Sequence, residues 1–239
     1  VLVVTKKTVV LPSNLKSLIP VGTQSISVFL VNERERGKGD KIFINTTGIG
    51  HLHPQADIAI GRVKVGDKII VSDNLATHGI AIMSVREGLE FESDIESDTR
   101  PLNEIVKILL DDFGKNIHLL KDPTRGGVAT VLSEIARDSK LGIDIFQKKI
   151  PVNEQVYGAC EILGLDPLYV ANEGIFIAVV DGAVADDFVE KLKQQEHCSH
   201  ASIIGEVVEN HPKQVILTSQ IGGKRVVNML VGEQLPRIC

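Results

Sequence analysis

Three short strings and one thiol hold the residue types that could do chemistry in this chain. Lys121-Asp122-Pro123-Thr124-Arg125-Gly126-Gly127 stands directly ahead of an apolar helical pattern. Asp122 or Thr124 can cap that helix, and Pro123 suits its first turn. Gly126 and Gly127 allow a backbone to approach a ligand closely. Free N–H groups and the helix dipole favour a phosphate there, and Arg125 can add a charge-assisted contact. A capped helix behind a strand accounts for the same residues, so local physics leaves both readings open. Ala171-Asn172-Glu173-Gly174 precedes an apolar strand. A carboxylate beside a glycine at the mouth of a strand suits a general base or a metal-facing acid. It suits a solvated turn equally well. Ala76-Thr77-His78-Gly79 puts an imidazole where it could bind a ligand, move a proton or begin a helix. Cys239, the last residue, puts a thiol where a swinging tail could carry a covalent cargo between sites; chance can also leave a cysteine last.

Other polar groups carry less. His51-Leu52-His53 and His197-Cys198-Ser199-His200 have metal-ligand residue types but no second half at zinc-site spacing, so both read as surface and no metal site is assigned. The acidic run from Glu92 to Asp98 reads as a solvated loop.

These strings need a scaffold. Leu102, Ile105, Val106, Leu109 and Leu110 recur at helical spacing, with Gly114 placed to end the helix. Val128, Val131, Leu132, Ile135 and Ala136 mark a second helix, and Val184, Phe188, Val189 and Leu192 a third. Strands are expected at Val1–Val4, Thr8–Leu11, Ser25–Val31 and Lys41–Asn45. Others are expected after the turn at Val65-Gly66-Asp67, over Ile175–Val180, Ala201–Val208, Gln214–Thr218 and Val226–Leu230. Helices interleaved with strands, and hairpin-like pairs toward the end, predict an α+β fold with a mixed or antiparallel sheet. The stretch before Arg36 encodes no long helix and too little apolar mass for a domain. The segment from Val231 to Cys239 reads as an exposed tail.

Composition narrows the class. At 239 residues the chain fits one large domain or two small ones. It is 43% hydrophobic with no Trp, so its core must be aliphatic. A net charge of −5 gives no global attraction to nucleic acid or an anionic membrane. No stretch approaches the ~20 apolar residues that span a bilayer. Three widely spaced cysteines argue against a disulfide framework and for a reducing compartment. The N-terminus has no secretory layout and no initiator Met, and the chain reads as cytoplasmic and as a fragment.

Several strings stand together in one order: Asp122–Gly127, Ala171–Gly174, Ile203-Ile204-Gly205-Glu206-Val207-Val208 and the terminal Leu235-Pro236-Arg237-Ile238-Cys239. Lys41–Thr46, His78–Ile82 and Cys160–Asp166 support them. Together, from about Glu35 to Cys239, they resemble the HypE family of hydrogenase expression/formation proteins, whose most specific piece here is Pro-Arg-Ile-Cys. The resemblance implies an aminoimidazole ribonucleotide synthetase-like fold, a homodimer, and use of ATP with Mg2+. It implies a HypF-type carbamoyltransferase that loads the Cys239 thiol, and ATP-dependent dehydration of the resulting S-carboxamide to a thiocyanate. The cyano group then goes to a HypC–HypD complex for the iron of [NiFe]-hydrogenase. Under it Cys239 and Glu173 are catalytic, and Asp122, Thr124, Arg125, Gly126, Gly127, Asn172 and His78 bind the cofactor.

The chain departs from the family pattern. The chain reads as lacking most of the family's ATP-binding N-terminal half. The family's Thr-Gly-Asp-Thr-Lys-Val string has its nearest likeness in Val4–Val10, without Gly-Asp, and Thr77 replaces an acidic residue. Residues 1–50 are expected to be a remnant or an atypical form of the N-terminal ATP-binding and dimerisation domain, 51–222 the C-terminal α/β domain, and 223–239 a terminal strand and flexible tail bearing the acceptor cysteine. The alternatives are a non-catalytic carbamoyl or cyano carrier, and a selenophosphate synthetase-like or purine-biosynthesis relative.

Overall fold

The structure, a computed structural model, describes residues 52–87 and 95–229, together with the strands β1 (Ser25–Val31) and β2 (Ile44–Gly50). The expected strands at Val1–Val4 and Thr8–Leu11, the packing of the stretch before Arg36 as a whole, and the tail with Cys239 lie outside the described residues. Two compact units divide after Pro54. In the first, β1 and β2 form an antiparallel ladder from Ser25↔Gly50 to Val31↔Ile44. Of the strand expected at Lys41–Asn45, Ile44 and Asn45 begin β2, which runs on through Gly50, and residues 41–43 lie outside the described residues.

The second unit is built on β3 (Lys68–Val71), β4 (Ile117–Lys121), β5 (Gly142–Phe146), β6 (Ile177–Val180), β7 (Ser202–Val208), β8 (Val215–Thr218) and β9 (Lys224–Val227). Their order across the sheet is β4-β6-β3-β7-β5-β8-β9. All neighbours are antiparallel except β5 and β8. The sheet is mixed, as the sequence predicts. Ile69, Ile70 and Val71 have no exposed surface, so β3 is covered on both faces. That explains its unbroken apolar run in place of an alternating one.

Among the described residues five α-helices supply the cover: α1 (Thr77–Glu87), α2 (Asn103–Phe113), α3 (Gly127–Ser139), α4 (Glu154–Leu163) and α5 (Ala185–Lys193). Ile69 and Val71 face one apolar cluster with Ile80 of α1, Leu132 of α3 and Val156 of α4. Ile70, Ala178 and Val180 face another with Leu109 of α2 and Phe188 of α5. The result is three layers, helices on either side of one sheet. Alternation of side chains along a strand divides the two cores. Gly114 ends α2 as expected, at φ 44°, with its N–H on the Leu110 carbonyl.

Register gathers the three strings. Val71 at the end of β3 pairs with Ile177, and so does Lys121 at the end of β4. Ile177 begins β6. The loops that follow β3 and β4 and the segment that leads into β6 therefore emerge at one end of the sheet.

Candidate functional site

Ser72 closes the end of β3. It is fully buried, its N–H donates to the Phe176 carbonyl, and its Oγ accepts the Phe176 N–H. The chain then turns through Asp73–Ala76 into α1. Ala76 holds φ 71°, a left-handed conformation that costs a non-glycine residue energy. Its N–H is fixed by Asn172 Oδ1 at 2.7 Å.

Asn172 is the centre of the junction. It is fully buried. Its Nδ2 donates to the Pro123 and Val170 carbonyls, each at 3.0 Å, and its main-chain N–H donates to the Pro123 carbonyl at 3.2 Å. One side chain thus ties the loops after β3 and β4 to the segment before β6. Both amide protons and the carbonyl oxygen are engaged inside the protein. The solvated turn considered for this string is excluded at Asn172.

The loop after β4 differs from its sequence reading in three respects. Neither Asp122 nor Thr124 caps α3: the N-cap is Gly126, at φ 72°, with no side-chain bond. Pro123 precedes the helix instead of entering its first turn, because α3 begins at Gly127. Gly127 also has a positive φ, 60°, and a Cβ there would lie 2.5 Å from the Leu168 carbonyl oxygen. The close approach that requires this glycine is to the protein's own 168–170 backbone. Its N–H donates to the Thr124 carbonyl at 3.0 Å. Asp122 and Arg125 are exposed and Thr124 half-buried at the rim.

Glu173 is half-buried, and its main-chain N–H donates to Asp98 Oδ1 at 3.1 Å. His78 lies in the first turn of α1, 7% exposed. Its Nδ1 meets Ser97 Oγ at 2.8 Å, and Ser97 Oγ meets Thr99 Oγ1 at 2.7 Å. Its Nε2 is buried without a partner. Gly79, the next residue, donates its N–H to the Ala171 carbonyl. His78, Asn172, Glu173 and the Pro123 carbonyl therefore belong to one assembly.

Sequence reasoning missed the segment Ser97-Asp98-Thr99-Arg100. The acidic run was expected to be a solvated loop; its end packs on the junction instead, because Asp98 serves as acceptor for Glu173. Arg100 Nη2 donates to the His197 carbonyl at 2.9 Å and stands 3.7 Å from Asp73 Oδ2. His200 Nδ1 is 3.1 Å from Asp73 Oδ1. The available signal was the polar string just ahead of Pro101 and the α2 pattern, which charge alone disguised as loop. A cavity of about 370 Å3 opens beside these residues, lined by Asp73, Thr77, Ser97, Asp98, Arg100 and Ile175 among others.

Cys160 and Cys198 are buried, and desolvation pushes both thiols up to about 11, Cys160 with help from the Asp166 charge. Neither is a ready thiolate. His197 and His200 are exposed, and among the described residues no three His, Cys, Asp or Glu side chains gather to hold a metal ion. Among the described residues no helix is long and apolar enough to cross a membrane.

Layered helices on a mixed sheet, with loops converging at one end, match the AIR synthase related protein, C-terminal domain, over residues 64–218. The chain belongs to this AIR synthase-related family. It is 44% identical over 205 residues to the carbamoyl dehydratase HypE of Azotobacter vinelandii, covering 86% of this chain and 60% of that protein. Among solved structures, HypE in complex with ATP superposes with a TM-score of 0.80 at 42% identity, over 85% of this chain and 62% of that one. The HypE–HypF complex gives 0.77 at 43%, over 82% and 64%. The chain spans about 60% of the length of the curated relative it matches.

Proposed function

We propose that this chain acts in [NiFe]-hydrogenase maturation as an ATP-dependent carbamoyl dehydratase, converting an S-carboxamide on Cys239 to a thiocyanate. The observation that carries this reading is the Asn172-centred junction, which holds the segments bearing His78, Pro123 and Glu173 at one end of the sheet. Similarity to proteins named carbamoyl dehydratase HypE supports it. Cys239 is the acceptor thiol; the buried, neutral state of Cys160 and Cys198 is consistent with that choice. ATP turns the amide oxygen into a phosphate leaving group. The nitrogen loses one proton as the amide oxygen is phosphorylated and the second as phosphate leaves; Glu173, held by its main-chain N–H on Asp98 just ahead of β6, is the base assigned to them. Arg125, exposed on the loop before α3, is a cation placed to meet a phosphate. Asp122, Thr124, Gly126 and Gly127 shape that rim, and Asn172 and His78 act by holding it in place. No step is assigned to Mg2+, for which the described residues gather no ligand group.

The wider reading follows the same relatives. The protein is cytoplasmic and works as a homodimer. A HypF-type carbamoyltransferase supplies the carbamoyl group, and a HypC–HypD complex accepts the cyano group. Residues 1–50 are a remnant of the ATP-binding domain, 51–222 the C-terminal α/β domain, and 223–239 the strand and tail carrying the thiol. A second reading, a carrier that accepts the carbamoyl group without dehydrating it, is favoured by one observation: Val4–Val10, the nearest likeness to the family's Thr-Gly-Asp-Thr-Lys-Val string, lacks its Gly-Asp. Incubation with a HypF-type partner, carbamoyl phosphate and ATP, followed by peptide mass mapping, separates the two. Gain of a carbamoyl group on Cys239 followed by loss of water supports the enzyme. Gain without loss supports the carrier, and modification at Cys160 or Cys198 alone overturns both.

A further inference from the structure

We infer that the groove between α4 and the β8–β9 hairpin is a docking site for this chain's own C-terminal segment, Leu230 to Cys239. A cavity of about 450 Å3 opens there. Its floor is apolar: Cys160, Leu168 and Leu217 are buried, with Ile150 and Leu165 beside them. One wall is α4, which turns Glu154, Tyr157 and Glu161 toward the opening. The two glutamates are exposed and two helical turns apart, and among the described residues neither has a cationic partner. The opposite wall carries Arg225, whose guanidinium meets Asp166. Ile221, at the tip of the hairpin, is 96% exposed. An apolar floor with open acidic groups on one side and a cation on the other suits an extended segment of mixed character.

Residues 230–239 have that character and that reach. Pro236 favours polyproline II geometry, with about three residues per turn, so Leu235 and Ile238 fall on one face and Arg237 on another. The two apolar side chains suit the floor. Arg237, the segment's only cation, suits Glu154 and Glu161 and can stack on Tyr157. Arg225 gives the segment's own carboxylates, Glu233 and the chain end, a positive neighbour on the other wall. The end of β9 is fixed against α3: Ser133 Oγ donates to the Val227 carbonyl at 3.3 Å, and Arg137 Nη1 to the Met229 sulfur at 3.6 Å. From Met229 back to Arg225 is about 13 Å along an extended chain, and the segment beyond Met229 extends to about 33 Å. Gly232 can supply the turn between them. Tethering raises the segment's effective concentration to about millimolar, so a contact too weak to hold a separate protein still fills the groove. α4 divides this groove from the cavity beside Glu173: Asn153, Gln155 and Val156 line that cavity, and Glu154, Tyr157 and Cys160 the groove. A docked segment keeps the Cys239 thiol across α4 from Glu173, a resting position that must be vacated before any chemistry at that junction.

The test uses the full chain, isotope-labelled, with a nitroxide attached to Cys239; Cys160 and Cys198 are buried and resist labelling. The amide signals of Tyr157, Leu165 and Gln220, around the groove, are expected to weaken and to return when the nitroxide is reduced. A mixture of isotope-labelled chain carrying Cys239→Ser and unlabelled chain carrying the nitroxide is expected to show no weakening, because the contact lies within one chain. Glu154→Lys together with Glu161→Lys should lower the ratio of docked to free segment about fivefold, and adding Arg237→Glu should restore it. Both glutamates are exposed, so their replacement leaves the fold intact. Glu190→Lys, on α5 across the sheet, should change nothing. Weakening in the mixed sample would make a second copy the occupant and overturn the inference. So would weakening centred on residues 95–100 and 173 instead of the groove, no weakening anywhere, weakening that survives the charge reversal, or failure of Arg237→Glu to restore it. Neither ATP nor a partner protein enters the assay, so its outcome is independent of the activity proposed above.

Discussion

Replacing Asn172 by alanine removes one oxygen and one nitrogen but disturbs three loops. The Pro123 carbonyl keeps the main-chain N–H of residue 172. The Ala76 N–H and the Val170 carbonyl lose their partner inside a site with no exposed surface. Two orphaned buried groups cost about 2–4 kcal/mol, so denaturant unfolding of Asn172→Ala should show a loss of that size. A loss below 0.5 kcal/mol, the order of an ordinary surface substitution, would mean the loops hold themselves. The buried thiols give a pH signature. Cys160 and Cys198 stand near 11 in the fold against a reference of 9.0. Below pH 9 both states carry neutral thiols and nothing is lost. Between pH 9 and 11 the unfolded chain ionises first, binds fewer protons than the native state, and stability falls, by up to about 2–3 kcal/mol per thiol. Cys160→Ala should therefore show a shallower decline over that window than the parent chain, whatever its stability at pH 8. Residue types made this site partly legible: Asn172 and Glu173 stood out as a pair. Their division of labour did not, because only the fold shows that the Asn172 amide is spent on three backbone groups while Glu173 is held through its main-chain N–H.

Elements with strong periodicity were legible to within a residue or two. The aliphatic pattern of α2 and its Gly114 stop, and those of α3 and α5, each correspond to a helix. Three elements were harder. α4 has a weak apolar stripe broken by Gly158 and exposed Tyr157 and Ile162. β4 and β5 each carry a polar residue, His118 and Asp144, inside a short apolar run, so neither shows the unbroken apolar stretch that marks β3 and β6. The start of α3 was misplaced for a physical reason. Asp-Pro-Thr looks like a capped helix start, yet two successive left-handed residues, Gly126 and Gly127, delay the helix. Gly127→Ala tests that geometry. It must adopt φ 60° with a Cβ 2.5 Å from the Leu168 oxygen and 2.7 Å from the Val170 oxygen. Strain plus overlap should cost about 3 kcal/mol or more, and the 168–170 segment, with the Asn172 junction beyond it, should shift. Gly158→Ala, in open space within α4, is the contrasting case: it should stabilise by about 0.5–1 kcal/mol through helix propensity alone. Equal effects of the two substitutions would show that close approach is not what fixes Gly127.

At the scale of the whole second unit, one sheet serves two cores. The mixed sheet was legible from interleaved helices and strands, but the order β4-β6-β3-β7-β5-β8-β9 was not, since pairing partners lie far apart in sequence: Val71 meets Ile177, and Ile143 meets both Val207 and Val215. That non-local pairing predicts how the unit comes apart. Leu132 of α3 and Phe188 of α5 are both fully buried, on opposite faces. Truncating either to alanine should cost about 3–5 kcal/mol, lost transfer energy plus the cavity left behind. Neither helix layer has a sheet of its own, and β3 presents Ile69 and Val71 to one core and Ile70 to the other. Loss of packing on one face therefore loosens the strands that the opposite face needs. Leu132→Ala and Phe188→Ala should each lower the midpoint of a single transition, with circular dichroism and thiol exposure of Cys160 and Cys198 changing together. The two thiols make the test direct, because Cys160 belongs to the α3 side and Cys198 to the α5 side. If Leu132→Ala exposed Cys160 at a denaturant concentration where Cys198 stayed protected, the layers would unfold independently and the shared sheet would not be what couples them.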